Sequence, residues 1–323
     1  MNIKKNLLIV GLSAVTCLGL AACNSTETKT EQTKESAKAD DSKQSENKTQ
    51  TISYLDKDYT VPSEVKKIAT ASFESMEDAA VLGVKPVAAV TIAGEIPQYL
   101  ADELAGAESI GDKMQPSYET LLEIEPDVIL WTSKAKENVT SQLEKVATTF
   151  PYSHISTNWE ENLKLMAKLT GKEAEAEKVI SDYKEDAEAA KEQLGESMEG
   201  KKVLVLRIRA GNVFVYPQDM YFNPVLYTDL GLEVPEVVGA AKAQEAISME
   251  KLAEVNPDYV FLQFEESENT DNPKALGELE SDPIWQSINA AKNGKVFVNA
   301  VDPLAQGGTA WSKTAFLKAA TDS

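Results

Sequence analysis

Arg207 and Arg209 are the only arginines in the chain, and they stand two residues apart after the apolar run Lys202-Val203-Leu204-Val205-Leu206. On a strand that spacing points both guanidinium groups to one face. The carboxyl end of a strand in an open α/β sheet is where ligands bind, and the guanidinium fork suits carboxylates and other anionic oxygens. The chemistry this pair can do is anion capture; a structural ion pair with one of the many acids is the alternative. The stretch Val213 to Tyr227 adds Phe214, Tyr216, Tyr221, Phe222 and Tyr227. Tyr216 and Tyr221, beside Pro217 and Asn223 in a loop-like stretch, are the candidate cleft aromatics, and Trp311, after Gln306-Gly307-Gly308-Thr309-Ala310, is similarly placed. Earlier in the chain Lys113, Trp131 and Lys134 lie in or near strand-to-helix connections and are further candidates for ligand contact.

Other chemistries find little to work with. A receptor for a bare metal ion needs His, Asp, Glu or Tyr ligands converging on it, and the single histidine, His154, reads as a loop or packing residue. Bare ferric iron on Tyr216, Tyr221 and acids would be opposed by the two neighbouring arginines. No serine-histidine constellation, phosphate-cradling glycine loop or metal-dyad spacing stands out. An enzyme is therefore not expected.

The elements that must position these residues begin after a targeting segment. Lys4 and Lys5 precede an apolar stretch from Leu7 to Leu20, followed by Leu20-Ala21-Ala22-Cys23. Residues 1–22 read as a secretory signal peptide. Cys17 lies inside it, so Cys23 is the only cysteine left in the mature chain and no disulfide is expected. Residues 23–50 are polar and lack anchors for a core, and read as a disordered tether spanning roughly 30 Å. The formal charge of −20 makes nucleic acid and anionic lipid poor partners.

Beyond the tether, β-rich runs (67–71, 86–91, 127–132) alternate with helical stretches (75–82, 118–124). A second set of runs follows at 202–206, 258–263 and 295–299. This order predicts α/β lobes with mostly parallel strands, at 51–171 and 196–323. Between them, residues 172–195 carry Val179, Ile180, Tyr183, Ala187, Ala190 and Leu194 at helical spacing, with Gly195 as a C-terminal cap. A rigid helix of roughly 36 Å would join the lobes. The lobes also share a repeat: Ser117 to Ile129 aligns without gaps on Ser248 to Val260, with Ser, two Glu, Leu, Pro and Asp identical. Each copy reads as a short helix with a serine N-cap and a first-turn glutamate, ended by Pro-Asp before a buried strand. Pseudo-symmetric lobes make the cleft between them the default ligand site.

Leu20-Ala21-Ala22-Cys23 resembles the lipobox of bacterial lipoproteins, in which Cys23 would carry diacylglycerol. Together with the tether, the bridging helix and the repeat, it resembles the helix-bridged (class III) substrate-binding proteins of ABC importers for iron-siderophores and cobalamin. That resemblance implies a monomeric receptor, lipid-anchored at the extracellular face of a Gram-positive cell membrane, with Glu119 and Glu250 docking on the permease. The stretches Leu206 to Asn212, Tyr216-Pro217, Asp229-Leu230-Gly231 and Val298 to Ser312 are similar to receptors for ferric citrate-hydroxamate siderophores of the schizokinen and arthrobactin type. They imply that iron arrives already chelated, with no metal ligand from the protein. Receptors for haem, cobalamin or a hydroxamate such as ferrioxamine share the same fold.

Overall fold

The computed structural model describes residues 48–322, so Cys23, the signal segment and most of the tether lie outside the described residues. The first element is an antiparallel hairpin, β1 (Thr49–Tyr54) and β2 (Lys57–Pro62). It starts two residues inside the stretch read as tether. The reason is strand alternation: Ile52, Tyr54, Tyr59 and Val61 are buried, and Tyr59 packs on Phe150 with ring centroids 4.3 Å apart.

The first lobe continues with β3 (Ile68–Ala71), α1 (Phe73–Val81), β4 (Ala88–Ala89), β5 (Glu108–Ser109) and the small hairpin β6 (Gly111–Asp112) and β7 (Gln115–Pro116). Then come α2 (Tyr118–Ile124), β8 (Val128–Thr132), α3 (Glu137–Leu143), β9 (Thr148–Tyr152) and α4 (Trp159–Thr170). Its sheet runs β5-β4-β3-β8-β9 and is parallel throughout. Such strands are covered on both faces, which is why β3 and most of β8 are unbroken buried runs.

Helix α5 (Glu173–Leu194) buries Ala176, Ile180, Tyr183, Ala187 and Ala190, the stripe its spacing predicts, and Gly195 caps it by donating to Lys191 O. The second lobe holds β10 (Val203–Arg209), β11 (Asn212–Val215), α6 (Glu236–Ala240), β12 (Glu245–Ala246), α7 (Met249–Val255) and β13 (Tyr259–Phe264). After these follow α8 (Ala275–Ser281), α9 (Asn289–Lys292), β14 (Val296–Val298) and α10 (Ala310–Thr321). Here the order is β12-β11-β10-β13-β14; β11 alone runs against its neighbours, and the other four strands share one direction, so the sheet is mostly parallel as expected. The cause of the reversal at β11 is a two-residue turn: Ala210 and Gly211 both take positive φ (46° and 73°), the geometry that folds one strand tightly back on another.

The repeat performs the same structural task in both lobes. Ser117 and Ser248 cap α2 and α7 by accepting from Thr120 N and Lys251 N. Glu125 and Asn256 end the helices in the left-handed conformation. The aspartate after each proline then reaches the edge of the neighbouring strand: Asp127 accepts from Lys66 N and Lys67 N, and Asp258 from Lys202 N. Each Pro-Asp thus pins the start of β8 to β3, or of β13 to β10, and sets the parallel register.

The chain does not stay with the second lobe after β14. Phe316 of α10 packs on Phe222 and Phe261, while the same helix also contacts α1, α4 and α5. The turn before it requires glycine. Gly307 has φ +78°, and a Cβ there would lie 2.5 Å from Tyr221 C; one on Gly308 would lie 2.6 Å from Ser156 Oγ. Ser156, after β9, donates to Tyr221 O at 2.9 Å. The lobes therefore meet along this seam as well as through α5.

Candidate functional site

In both sheets the chain starts on a central strand and then builds outward on each side, so strand order reverses beside β3 and beside β10. Crevices for ligands open at the carboxyl ends of strands at such points. The two crevices meet in one cavity of about 190 Å³. Its first-lobe wall is Ser72, Phe73 and Glu74 after β3, Lys113 and Met114 on the β6–β7 turn, Thr132 at the end of β8, and Lys134 and His154 after β8 and β9. The second lobe supplies Arg207, Arg209, Tyr216, Met220, Tyr221, Gln244 and Glu268, and Gln306 comes from the seam.

The two arginines share a face, as their spacing predicts, and a single carboxylate receives both. Glu268 Oε2 accepts from Arg207 Nε at 2.9 Å and Nη2 at 2.8 Å, and its Oε1 lies 3.2 Å from Arg209 Nη2. Arg207 Nη2 also donates to Pro303 O, and Arg209 Nη1 donates to Gln244 Oε1 at 2.9 Å. Tyr216 donates to the same Gln244 oxygen and stacks 4.7 Å from Tyr221, whose ring lies under the Arg207 guanidinium at 5.2 Å. Both tyrosines are buried, and the Tyr221 hydroxyl has no hydrogen-bond partner among the described residues. Opposite them, Lys113 Nζ sits 5.2 Å from the Phe73 ring centroid, and burial lowers its pKa. Lys134 Nζ is 3.9 Å from Glu74 Oε1.

Two expected contacts fall elsewhere. Trp131 is 2 % exposed on β8 and lines a separate groove of about 690 Å³, which shares only Lys113, Met114 and Thr132 with the arginine cavity. Its indole N–H has no partner among the described residues. Trp311 is a half-buried seam residue, 4.7 Å from the Tyr99 ring, because α10 turns back toward α1. His154, read as packing, stands on the cavity wall with Nδ1 2.7 Å from Ser133 Oγ. Burial and the neighbouring Lys134 push its pKa down to about 4, so it is neutral there near pH 7. Among the described residues no three His, Cys, Asp or Glu side chains converge to hold a metal ion.

Glu268, Gln244 and Glu74 were not anticipated. Glu265-Glu266-Ser267-Glu268 reads as a solvated acidic run; its one signal was its place directly after β13, the strand paired with β10. Glu77 and Asp78 were likewise missed. They are fully buried on α1 and receive the seam: Glu77 accepts from Tyr99 OH, Gln306 N, Thr309 Oγ1 and Ser312 Oγ. Asp78 accepts from Ala310 N and Tyr152 OH. Burial raises their pKa values to about 7 and about 8, against the lowering effect of these donors. The folded state then binds more protons than the unfolded chain above the ordinary carboxylate range, so their contribution to stability falls as pH rises through about 8. His154 acts in the opposite sense only below about pH 6.5. Thermal unfolding followed by circular dichroism should therefore show Tm rising by a few degrees from pH 8.5 to 6.5, and Asp78→Asn should flatten much of that slope.

Residues 68–300 match the family described as Periplasmic binding protein. The chain belongs to that family. Its members are substrate-binding proteins of importers and not enzymes, and this binding protein has their class III fold of two α/β lobes joined by one long helix. It is 51 % identical over 272 residues to the iron-uptake system-binding protein of Bacillus subtilis, spanning 84 % of this chain and 86 % of that one. The crystal structure of the triscatecholate siderophore binding protein FeuA from Bacillus subtilis, complexed with ferri-bacillibactin, superposes with a TM-score of 0.82 at 51 % identity, over 84 % of this chain and 97 % of that one. The iron(3+)-hydroxamate-binding protein FhuD of Bacillus subtilis is 30 % identical over 69 % of each chain.

Proposed function

We propose that this binding protein captures a ferric siderophore of the triscatecholate class in the cleft between its lobes and delivers it to an ABC permease. The observation that carries the reading is the convergence of Lys113, Lys134, Arg207 and Arg209 on one cavity faced by Phe73, Tyr216 and Tyr221. Ferric iron held by three doubly deprotonated catecholates is a trianion with aromatic faces; held by three singly deprotonated hydroxamates it is neutral. Four cations beside two carboxylates, Glu74 and Glu268, suit the trianion. Arg207, Arg209 and Lys113 would meet catecholate oxygens, with Tyr216 and Tyr221 against the rings. The enclosed space is below the roughly 300–1,000 Å³ usual for ligand sites, so a large chelate would project through the mouth or require the lobes to part.

The citrate-hydroxamate expectation has less support, since the relative at 51 % identity is a triscatecholate receptor. Haem and cobalamin, on the same fold, find no support in these relatives. Delivery would use Glu119 and Glu250, both exposed, at matched positions in the first turns of α2 and α7. Lipid on Cys23 would keep the receptor at the outer face of the cell membrane and at high effective concentration beside its permease.

Tryptophan-fluorescence titration with ferri-bacillibactin, ferric schizokinen, ferrioxamine, ferric citrate and haem tests the reading. Ferri-bacillibactin is expected to bind tightest, by about tenfold or more, equal to about 1.4 kcal/mol. Failure of every siderophore would overturn the function, and preference for ferric schizokinen would overturn the ligand class.

A further inference from the structure

In this structure the arginine pair is not open to a ligand on all sides: a carboxylate of the protein already sits on it. Glu268 is held in the short turn after β13, where Ala210 N donates to its backbone oxygen at 3.0 Å, and its side chain is 10 % exposed. One carboxylate spans two guanidinium groups that β10 presents on one face. A carboxylate so placed does two separable things. It fixes both forks, since charge-assisted bonds of this geometry orient arginine. It also places a negative charge where an anionic ligand must come, in a partly buried setting where charge interactions are weakly screened.

We infer that Glu268 is the charge filter of the cleft: it orients Arg207 and Arg209 while offsetting part of their charge, so that affinity depends on how much negative charge the chelate carries. The inference rests on the siderophore reading above. A protein with no such filter would hold small polyanions, ferric citrate among them, on the bare arginine pair. With Glu268 in place the pair keeps only about one net positive charge, and a chelate wide enough to touch both lobes adds Lys113 and Lys134 to it.

The test is Glu268→Gln, which keeps an acceptor for the arginines and removes the charge, with Glu268→Ala as the variant that removes both. Titrations use ferri-bacillibactin, ferric citrate and ferrioxamine E, with thermal unfolding as the check on folding. Glu268→Gln should tighten ferri-bacillibactin and ferric citrate by about tenfold while leaving the cyclic, uncharged ferrioxamine E within about twofold, and Glu268→Ala should tighten them less because the forks lose their seat. An equal change for charged and uncharged chelates, or weaker binding of the trianion to Glu268→Gln, overturns the inference and assigns Glu268 to structure alone. If the unaltered protein binds none of the ferric chelates, it is the siderophore reading that has failed.

Discussion

Charge reversal of Glu119 and Glu250 together, to arginine, is expected to reduce siderophore-dependent iron uptake by cells to background while the affinity of the purified protein for its ligand stays within about twofold. Neither residue lines the cleft cavity. Both are held in the first turn of a short helix whose serine cap and Pro-Asp stop are the same in the two lobes. The equivalence supports two contacts that act together on a permease with matching symmetry. Losing one partner of a hydrogen-bonded charge pair at an interface costs roughly 2–5 kcal/mol, so two lost contacts leave little docking, and each single reversal should leave a measurable remainder. Reversal of Glu188, exposed on the bridging helix, is the matched control and should change uptake little. A loss of ligand affinity in the double variant would instead assign these glutamates to the cleft.

Removal of the arginines should act on the other half of the cycle. Arg209→Ala is expected to weaken binding of the ferric triscatecholate by about 10- to 100-fold, the worth of a charge-assisted hydrogen bond of about 1.5–3 kcal/mol. Arg207→Ala should cost more. Arg207 is 6 % exposed and makes the closer contacts with Glu268, so its loss leaves that carboxylate facing the ligand with only Arg209 to offset it. Removing one partner of a buried pair carries the penalty of the charge left behind. Fluorescence titration measures both, and uptake should fall in step with affinity for these variants, in contrast to the docking pair. Unchanged affinity in both would move the ligand site away from the arginine cavity.

Much of this architecture is local and could be read along the chain. The α5 stripe at Ala176, Ile180, Tyr183, Ala187 and Ala190 follows from helical period. The Pro-Asp repeat announces two related lobes because capping and strand entry are decided by neighbours in sequence. The placing of Arg207 and Arg209 is equally local, since two residues of the same strand two apart must share a face.

What tertiary structure decided has a common physical cause: the partner lies far away in the chain. Trp131 ends a run, Val128 to Trp131, that is buried throughout, and an unbroken apolar run gives no sign of which face meets the cleft. Glu77 and Asp78 look like solvated helix acids until Thr309, Ala310 and Ser312, more than two hundred residues on, supply their donors. Trp311 was displaced from the cleft by the same return of α10. Glu268 meets Arg207 only because β10 and β13 pair in parallel, with Ile208 opposite Phe264. The sequence alone determined that an arginine pair would stand at a strand end and offer anion capture; which carboxylate restrains that pair, and which cations face it across the cleft, depended on two sheets closing over one seam.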